Sequence, residues 1–364
     1  MSTFAVLVVR VAIEPHDNAD SLEIARVGDY LSIVRKGQFQ SGDLVAYIAE
    51  QSLLPEALLD ELGLRGKLAG KEGNRVKAIK LRGVLSQGLV YPARAGWALG
   101  QDVAAELGVR KWEPPAPPAH MNGVVYAAGL DRCMRYDIEN FKAYPEVLVA
   151  GEAVVFTEKI HGTWCQIGYL PPSMIDEQGH LVVSSKGLAS KGLAFRPDAP
   201  ENADNLYLRV ARGLEVDRKI SEVFVGELAA DQPIFVLGEV FGAGVQDLAY
   251  GVKADAAGTL GFRVFDIHVG RPGQGRYLGD EALERACAAL GLPRVPVLYR
   301  GPFTREVMLT WTDGKESVSG KGMHIREGIV VRPCEERRDA KLGRVQLKSV
   351  SEKYLLRKDG TEYN

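Results

Sequence analysis

At roughly 150 residues per domain, a chain of 364 residues accommodates two domains. Hydrophobic residues at 46% and charged residues at 25% provide for two packed cores and exclude a disordered chain. The net charge of −2 gives no overall pull on nucleic acid, so any such partner must be met by a local basic cluster.

The four cysteines, Cys133, Cys165, Cys287 and Cys334, form no C-x-x-C pair and meet no histidine at metal-ligand spacing. A disulfide framework and a structural zinc site are therefore not expected, and reduced thiols in a cytoplasmic protein are. The first ten residues have a short apolar run without a basic leader, a poor signal peptide. No stretch approaches ~20 uninterrupted apolar residues, so no membrane association is expected.

In chain order, short β-rich runs are predicted at Phe4–Ile13, Leu22–Val27, Leu31–Val34, Asp43–Ile48, Val76–Leu81 and Gly88–Tyr91. Pro15, Asp17-Asn18, Gly28, Gly37, Gly42 and Gly83 punctuate them, and Glu56–Leu62 is predicted to be a helix. Such a pattern over residues 1–112 suits an all-β barrel of the OB type. Arg75, Lys77, Lys80 and Arg82 concentrate charge in one run. That is expected of a strand gripping a nucleic-acid backbone, although a charge-protected edge strand would look the same. Four prolines within residues 114–118 break any helix or central strand and mark a semi-rigid linker, assigned to 113–128.

Residues 129–364 mix periods. Strands are expected at Val154–Phe156, Cys165–Tyr169, Phe235–Val240, Phe262–Ile267, Ile329–Val331 and Val345–Leu347. Helices are expected at Ala203–Leu214 and at Asp280–Leu290, the latter stopped by Gly291 and Pro293. This is an α+β domain.

Between two of these strands stands Thr157-Glu158-Lys159-Ile160-His161-Gly162-Thr163. A strand–turn–strand lysine can aim its amine into a cleft while a glycine lets a ligand approach the backbone. Alone, K-x-x-G is uninformative, since a solvated surface lysine explains it equally well. An ordered series follows it, however: Ser184-Ser-Lys186-Gly, Leu237-Gly-Glu239-Val-Phe-Gly242, Phe262-Arg-Val-Phe265-Asp266-Ile267, Arg326-Glu327-Gly328-Ile-Val-Val-Arg332 and Val345-Gln-Leu-Lys348.

This collinear set resembles motifs I, III, IIIa, IV and V of the covalent nucleotidyltransferases, the superfamily of nucleic-acid ligases and capping enzymes. Glu-Lys-Ile-His-Gly-Thr is similar to the nick-sealing RNA ligases, as are Asp137-Ile-Glu-Asn140 and the stretch Val240–Gly251. Pro15–Asp20 and Arg75–Gly88 resemble the OB module that one RNA-ligase branch carries ahead of its catalytic domain. The resemblance implies an OB barrel followed by a nucleotidyltransferase domain with antiparallel sheets, and an ATP-dependent ligase that carries AMP on Lys159. It implies a 5′-phosphate end joined to a 3′-hydroxyl RNA end, with RNA or an RNA-containing nicked duplex as partner; a monomer is expected. A capping-type guanylyltransferase, a DNA ligase and a non-catalytic OB protein are the alternatives.

The roles have physical content. Lys159 must attack as a neutral amine although an unperturbed lysine has a pKa near ~10.4, which cationic neighbours and a metal would help correct. Lys186 and Lys348 are expected to supply that field and to neutralise phosphate charge. Glu239 and Glu327 are expected to organise Mg2+ or Mn2+. Glu227, in a similar local pattern, is passed over because Phe241-Gly242 and Gln246-Asp247 follow Glu239. Phe265 is expected to stack on adenine, Glu158 to help place the base, and Gly162 to admit the nucleotide. Strand alternation sets Phe265 and Ile267 on one face and Phe262 and Val264 on the other, so plain core packing is a competing explanation for Phe265. His161 is left between lining the cleft and being a polar turn residue. One position departs from the family, whose members often carry K-x-K in motif V. Here the first slot is Gln346, for which Arg344 is a candidate substitute.

Overall fold

The computed structural model describes residues 4–113, 117–253, 260–357 and 360–361; residues 114–116 of the proline run lie outside them. It has two compact units, one of residues 2–113 with 139–146, the other of residues 114–138 with 147–364.

In the first unit the apolar run from Phe4 breaks at Val11, whose amide donates to the Asp43 carbonyl at 3.0 Å while its own carbonyl accepts from Gly42. The halves become β1 (Leu7–Arg10) and β2 (Ala12–Pro15), followed by β3 (Leu22–Val27), β4 (Tyr30–Arg35), β5 (Leu44–Ile48) and helix α1 (Glu56–Glu61). Next come β6 (Ile79–Leu81), β7 (Val84–Ser86), β8 (Leu89–Pro92) and a short helix α2 (Ala104–Leu107). β1 pairs with β5, which pairs with β8, whereas β2 joins β3 and β4. A strand that bends and changes sheet makes a barrel corner, which one long strand could not. Val6, Val8, Ala46, Ile48 and Leu58 belong to its buried core.

Of the expected strand Val76–Leu81, only Ile79–Leu81 forms, as one arm of a hairpin. Its two-residue turn, Arg82-Gly83, has φ of +47° and +94°, the primed geometry that suits tight hairpins.

Two features bear on the domain boundaries. Residues 139–146 belong to the first unit: the Asp29 amide donates to the Lys142 carbonyl at 3.0 Å. A Cβ on Gly28 (φ +54°) would lie 2.7 Å from that carbonyl oxygen, so only glycine allows the approach. The stretch assigned to the linker is also partly structured. Val125–Ala127 pairs antiparallel with Leu193–Phe195, and Asn202 clamps Val124 through both its amide and its carbonyl at 2.8 Å.

The second unit contains β9 (Ala153–Lys159), β10 (Thr163–Tyr169), β11 (Leu181–Ser185), α3 (Leu206–Gly213), α4 (Val216–Val223), β12 (Ile234–Phe241) and β13 (Gly261–Val269). It continues with β14 (Arg276–Tyr277), α5 (Asp280–Leu290), β15 (Val297–Pro302), α6 (Arg305–Thr312), β16 (Gly328–Pro333), β17 (Leu347–Val350) and α7 (Glu352–Leu355). One sheet runs β11-β10-β12-β13-β14; in the other, β17, β16, β9 and β15 are neighbours in that order. Their pairings are antiparallel. β10 buries Cys165 and Ile167, and β12 buries Ile234, Val236 and Val240, against α3, α4 and α5. Period-two alternation turns Trp164, Gln166, Leu237 and Glu239 to the opposite face.

α5 spans the range read from sequence and ends at Gly291 with φ +58°. α3 starts later than expected because Asn205 caps it, accepting from the Tyr207 and Leu208 amides at 3.1 Å.

Candidate active site

β9 and β10 are consecutive in the chain but lie in different sheets, so Ile160-His161-Gly162 is the crossover between them. Gly162 is required there by space: a Cβ would sit 2.2 Å from the Val240 carbonyl oxygen and 3.0 Å from Glu239 Cγ. The register Lys159↔Gly328 brings Glu327 beside Lys159, and Lys159 Nζ lies 2.7 Å from Glu327 Oε1. Glu239 sits opposite Trp164 on β12 and accepts from the Gly162 amide at 3.1 Å.

Glu158, Lys159, Gly162, Lys186, Glu239, Phe265 and Lys348 line one cavity of about 260 Å³. Residues up to 190 positions apart in sequence thus meet at one place, with Glu327 held against Lys159. Lys186 Nζ pairs with Asp137 Oδ1 at 2.8 Å, and Lys348 lies opposite Val330 on β17.

Burial pushes the Glu239 carboxyl up to about 8; the Glu327 charge adds to this, while Lys159, the Gly162 amide and Lys186 oppose it. Desolvation likewise raises Glu158, against hydrogen bonds from the Ser317 hydroxyl and amide and the charge of Arg326. Four residues of the cavity wall carry buried polar atoms without a hydrogen-bond partner among the described residues: Glu158 Oε1, Trp164 Nε1, Arg332 Nη2 and Gln346 Oε1. Buried polar groups are normally satisfied, so this concentration marks a surface built for a polar ligand.

Phe265 lies on the cavity face, opposite Phe262 and Val264, and a β-bulge begins at it. Leu237 pairs with Asp266 but Gly238 pairs with Val264, leaving Phe265 as the extra residue of β13. The bulge breaks the alternation assumed from sequence: Phe265 keeps the face expected for it, but Ile267 leaves that face and joins Phe262 and Val264 in the helix-side core. Its ring packs on Tyr136 at 5.1 Å.

Asp266 is fully buried and accepts from Arg332 Nη1 (3.1 Å), Arg344 Nη1 (2.5 Å) and the Tyr136 hydroxyl (2.7 Å). Arg344 also binds Glu336, so it does not replace the missing lysine of motif V: its guanidinium is committed to carboxylates away from the cavity. Gln346 does line the cavity and donates to the Tyr136 hydroxyl at 2.6 Å.

His161 is buried and engaged on both ring nitrogens, Nε2 with Asp247 Oδ1 and Nδ1 with the Tyr354 hydroxyl, each at 2.8 Å. Its amide donates to the Tyr250 hydroxyl at 2.7 Å, and Arg357 covers the Tyr354 ring at 3.7 Å while pairing with Asp247. His161 therefore secures the crossover turn rather than lining the cavity. Glu227 sits on the helical turn Val225–Ala229, 3.9 Å from Arg276, and does not line the cavity either.

In the first unit the basic run is split. Arg75 is buried, donates to Gln51 Oε1 at 2.7 Å and lies 3.2 Å over the Trp112 ring, so it is a packing element. Lys77, Lys80 and Arg82 are exposed, the last two on the β6–β7 hairpin.

Two carboxylates, Glu239 and Glu327, could hold a metal. Glu327 Oε2 is buried without a partner among the described residues, and burial raises the Glu239 carboxyl beside it. No group of three or more His, Cys, Asp or Glu is placed for a metal among the described residues.

The RNA ligase family model matches residues 152–350, more than half of the chain. The chain belongs to the RNA ligase family. An OB-fold domain model matches residues 5–93. No curated protein sequence matches this ligase significantly. Among solved structures it is similar to Naegleria gruberi RNA ligase with pyrophosphate, at 22% identity and TM-score 0.75, covering 97% of this chain and 98% of that one. A variant of that ligase with AMP and manganese matches at 22% identity and TM-score 0.74, covering 96% and 98%. A variant with ATP and manganese matches at 22% and 0.72, covering 97% and 98%. At this identity the likeness establishes a shared fold. In this RNA ligase, sequence reasoning missed Tyr136, Trp164 and Arg332 as cavity residues. Trp164 follows from alternation along β10; nothing local signals Tyr136, which the tertiary fold brings to Asp266.

Proposed function

We propose that the protein is an ATP-dependent RNA ligase that forms a lysyl-AMP intermediate at Lys159 and joins 5′-phosphate to 3′-hydroxyl RNA ends at nicks in duplexes. The observation that carries this reading is the meeting of Lys159, Glu239, Glu327, Lys186 and Lys348 around one cavity with an aromatic wall.

The Lys159 amine attacks the α-phosphorus of ATP, a P–N bond forms, the bond to the β-phosphate oxygen breaks and pyrophosphate leaves. A 5′-phosphate oxygen then displaces the lysine, giving an AMP-capped end and returning a proton to Nζ. Attack of a 3′-hydroxyl oxygen on the capped phosphate releases AMP and closes the phosphodiester. Lys348 and Lys186 balance the charge that builds on the phosphate, at little reorganisation cost because they stand ready in the wall. Phe265 offers a flat face for the base, Glu158 helps place it, and Gly162 lets the nucleotide approach the turn. Glu239 and Glu327 would hold magnesium or manganese, which supplies charge neutralisation at the phosphates.

Lys77, Lys80 and Arg82 are assigned to the RNA backbone, whereas Arg75 supports the fold through its stack on Trp112. Residues 113–128 remain the proposed connection between the OB unit and the catalytic unit. Among the described residues no helix is long and apolar enough to cross a membrane. Unpaired thiols suit a reducing compartment, and we assign a cytoplasmic monomer.

The test is incubation with ATP labelled at the α-phosphate and manganese, followed by denaturation. The expected result is covalent label, absent in Lys159→Ala, that chases onto a 5′-phosphorylated nick. Label that never passes to an RNA end overturns the ligation steps; absence of label overturns the intermediate.

A further inference from the structure

Gln346 stands where the related enzymes often carry the first lysine of K-x-K. The register Val331↔Leu347, continued by one residue, sets it opposite Arg332, and both side chains line the cavity. Arg332 is 4% exposed and Gln346 6%. Neither Arg332 Nη2 nor Gln346 Oε1 has a partner among the described residues.

The amide orientation follows from proton counting. Asp266 lies between Arg332 and Arg344, whose charges hold its carboxyl below the usual range in spite of complete burial, so it is an acceptor only. The single hydroxyl proton of Tyr136 therefore goes to Asp266 Oδ2. Gln346 must then donate to Tyr136 through Nε2, which leaves Oε1 as an acceptor. Arg332 is fixed in the same way, with Nη1 on Asp266 and Nη2 spare. A lysine in place of Gln346 would offer a charge to phosphate; an amide oxygen repels phosphate oxygens.

We infer that Gln346 Oε1 and Arg332 Nη2 form an acceptor–donor pair for the nucleoside part of the bound nucleotide, taking a group that presents one hydrogen and one lone pair side by side. The inference rests on the proposed use of ATP. Two parts of the nucleoside have this chemistry: a ribose hydroxyl, and the amino–imino edge of adenine. Phosphate binding falls to Lys159, Lys186 and Lys348, and Tyr136 is a positioning residue that locks the amide.

Binding to the full chain is measured by calorimetry with AMP, 2′-deoxy-AMP, 3′-deoxy-AMP and purine riboside monophosphate, which lacks the amino group. None has a pyrophosphate leaving group, so binding is read without adduct chemistry. Wild type should lose about 10-fold or more in affinity for the analogue lacking the recognised group, because the buried pair is then left unmet. A deoxy analogue identifies the hydroxyl; the purine riboside identifies the base edge. Gln346→Met should bring that ratio to within about twofold of unity, and Tyr136→Phe should lower it partway by freeing the amide to turn. Equal affinity of wild type for all four ligands, or the same discrimination in both variants, overturns the pair. Normal AMP discrimination in a protein that forms no adduct with ATP sustains the pair and sinks the ligase reading. Failure to bind any of the four overturns both.

Discussion

Replacing Asp266 with alanine removes a carboxylate that serves two arginines and a tyrosine in the catalytic unit. Arg332 and Arg344 are nearly buried, with side chains 5% and 14% exposed. Arg344 keeps Glu336 as a second carboxylate at 2.6 Å, but Arg332 lies 3.7 Å from it and the Tyr136 hydroxyl loses its acceptor. Removing one member of a buried charged network typically costs about 3–5 kcal/mol, because the partners stay desolvated. For a unit of this size, ~1 kcal/mol moves the melting point by roughly 2–4 °C, so a drop of about 6–20 °C is expected. Differential scanning calorimetry of the full chain reads it, with Asp266→Asn, which keeps the volume and an acceptor, expected to lose less. A drop below about 2 °C would falsify the claim that Asp266 organises this wall, and would weaken the argument that fixes the Gln346 amide.

Three further outcomes are expected. His268 is 2% exposed and burial holds its pKa down at about 4, against an ordinary 6.5. The unfolded chain therefore binds the proton first, so the stability is full above pH 6.5 and falls by ~3 kcal/mol as pH drops toward 4; guanidinium unfolding at pH 7 and 4.5 should show it, and His268→Leu should flatten that limb. Asn205→Ala removes the cap that accepts from Tyr207 and Leu208 and should cost about 1 kcal/mol in the same assay; an unchanged midpoint rejects the cap. In the OB unit, Lys80→Ala should reduce the salt slope of RNA binding by about 1, whereas Arg75→Ala, which breaks the Trp112 stack, should lower stability by ~1 kcal/mol and leave the slope alone. Identical slopes in all three proteins would remove the hairpin from the RNA contact.

Much of this protein was legible in its sequence. Where a residue's role depends on close neighbours, period and capping chemistry suffice: α5 runs from Asp280 to Leu290 as read, and β3 from Leu22 to Val27. Lys159, Glu239, Lys186, Phe265 and Lys348 were found from the resemblance of an ordered motif series to the nucleotidyltransferases, and they do line one cavity. Local pattern failed where contact across the fold decides. The bulge that moves Ile267 to the face of Phe262 and Val264 depends on the register between β12 and β13, which alternation along one strand cannot reveal. Arg75 looks like its neighbours Lys77 and Lys80 until Trp112 is folded over it. Asp266 belongs to a quoted motif, yet its work is set by Tyr136, Arg332 and Arg344, 130, 66 and 78 positions away. The sequence by itself determined the order of the chemical groups and elements such as α5 and β3, because these rest on short-range sterics and spacing. Tertiary structure alone decided which of those groups are desolvated and which are paired, because both depend on what packs against them from elsewhere in the chain.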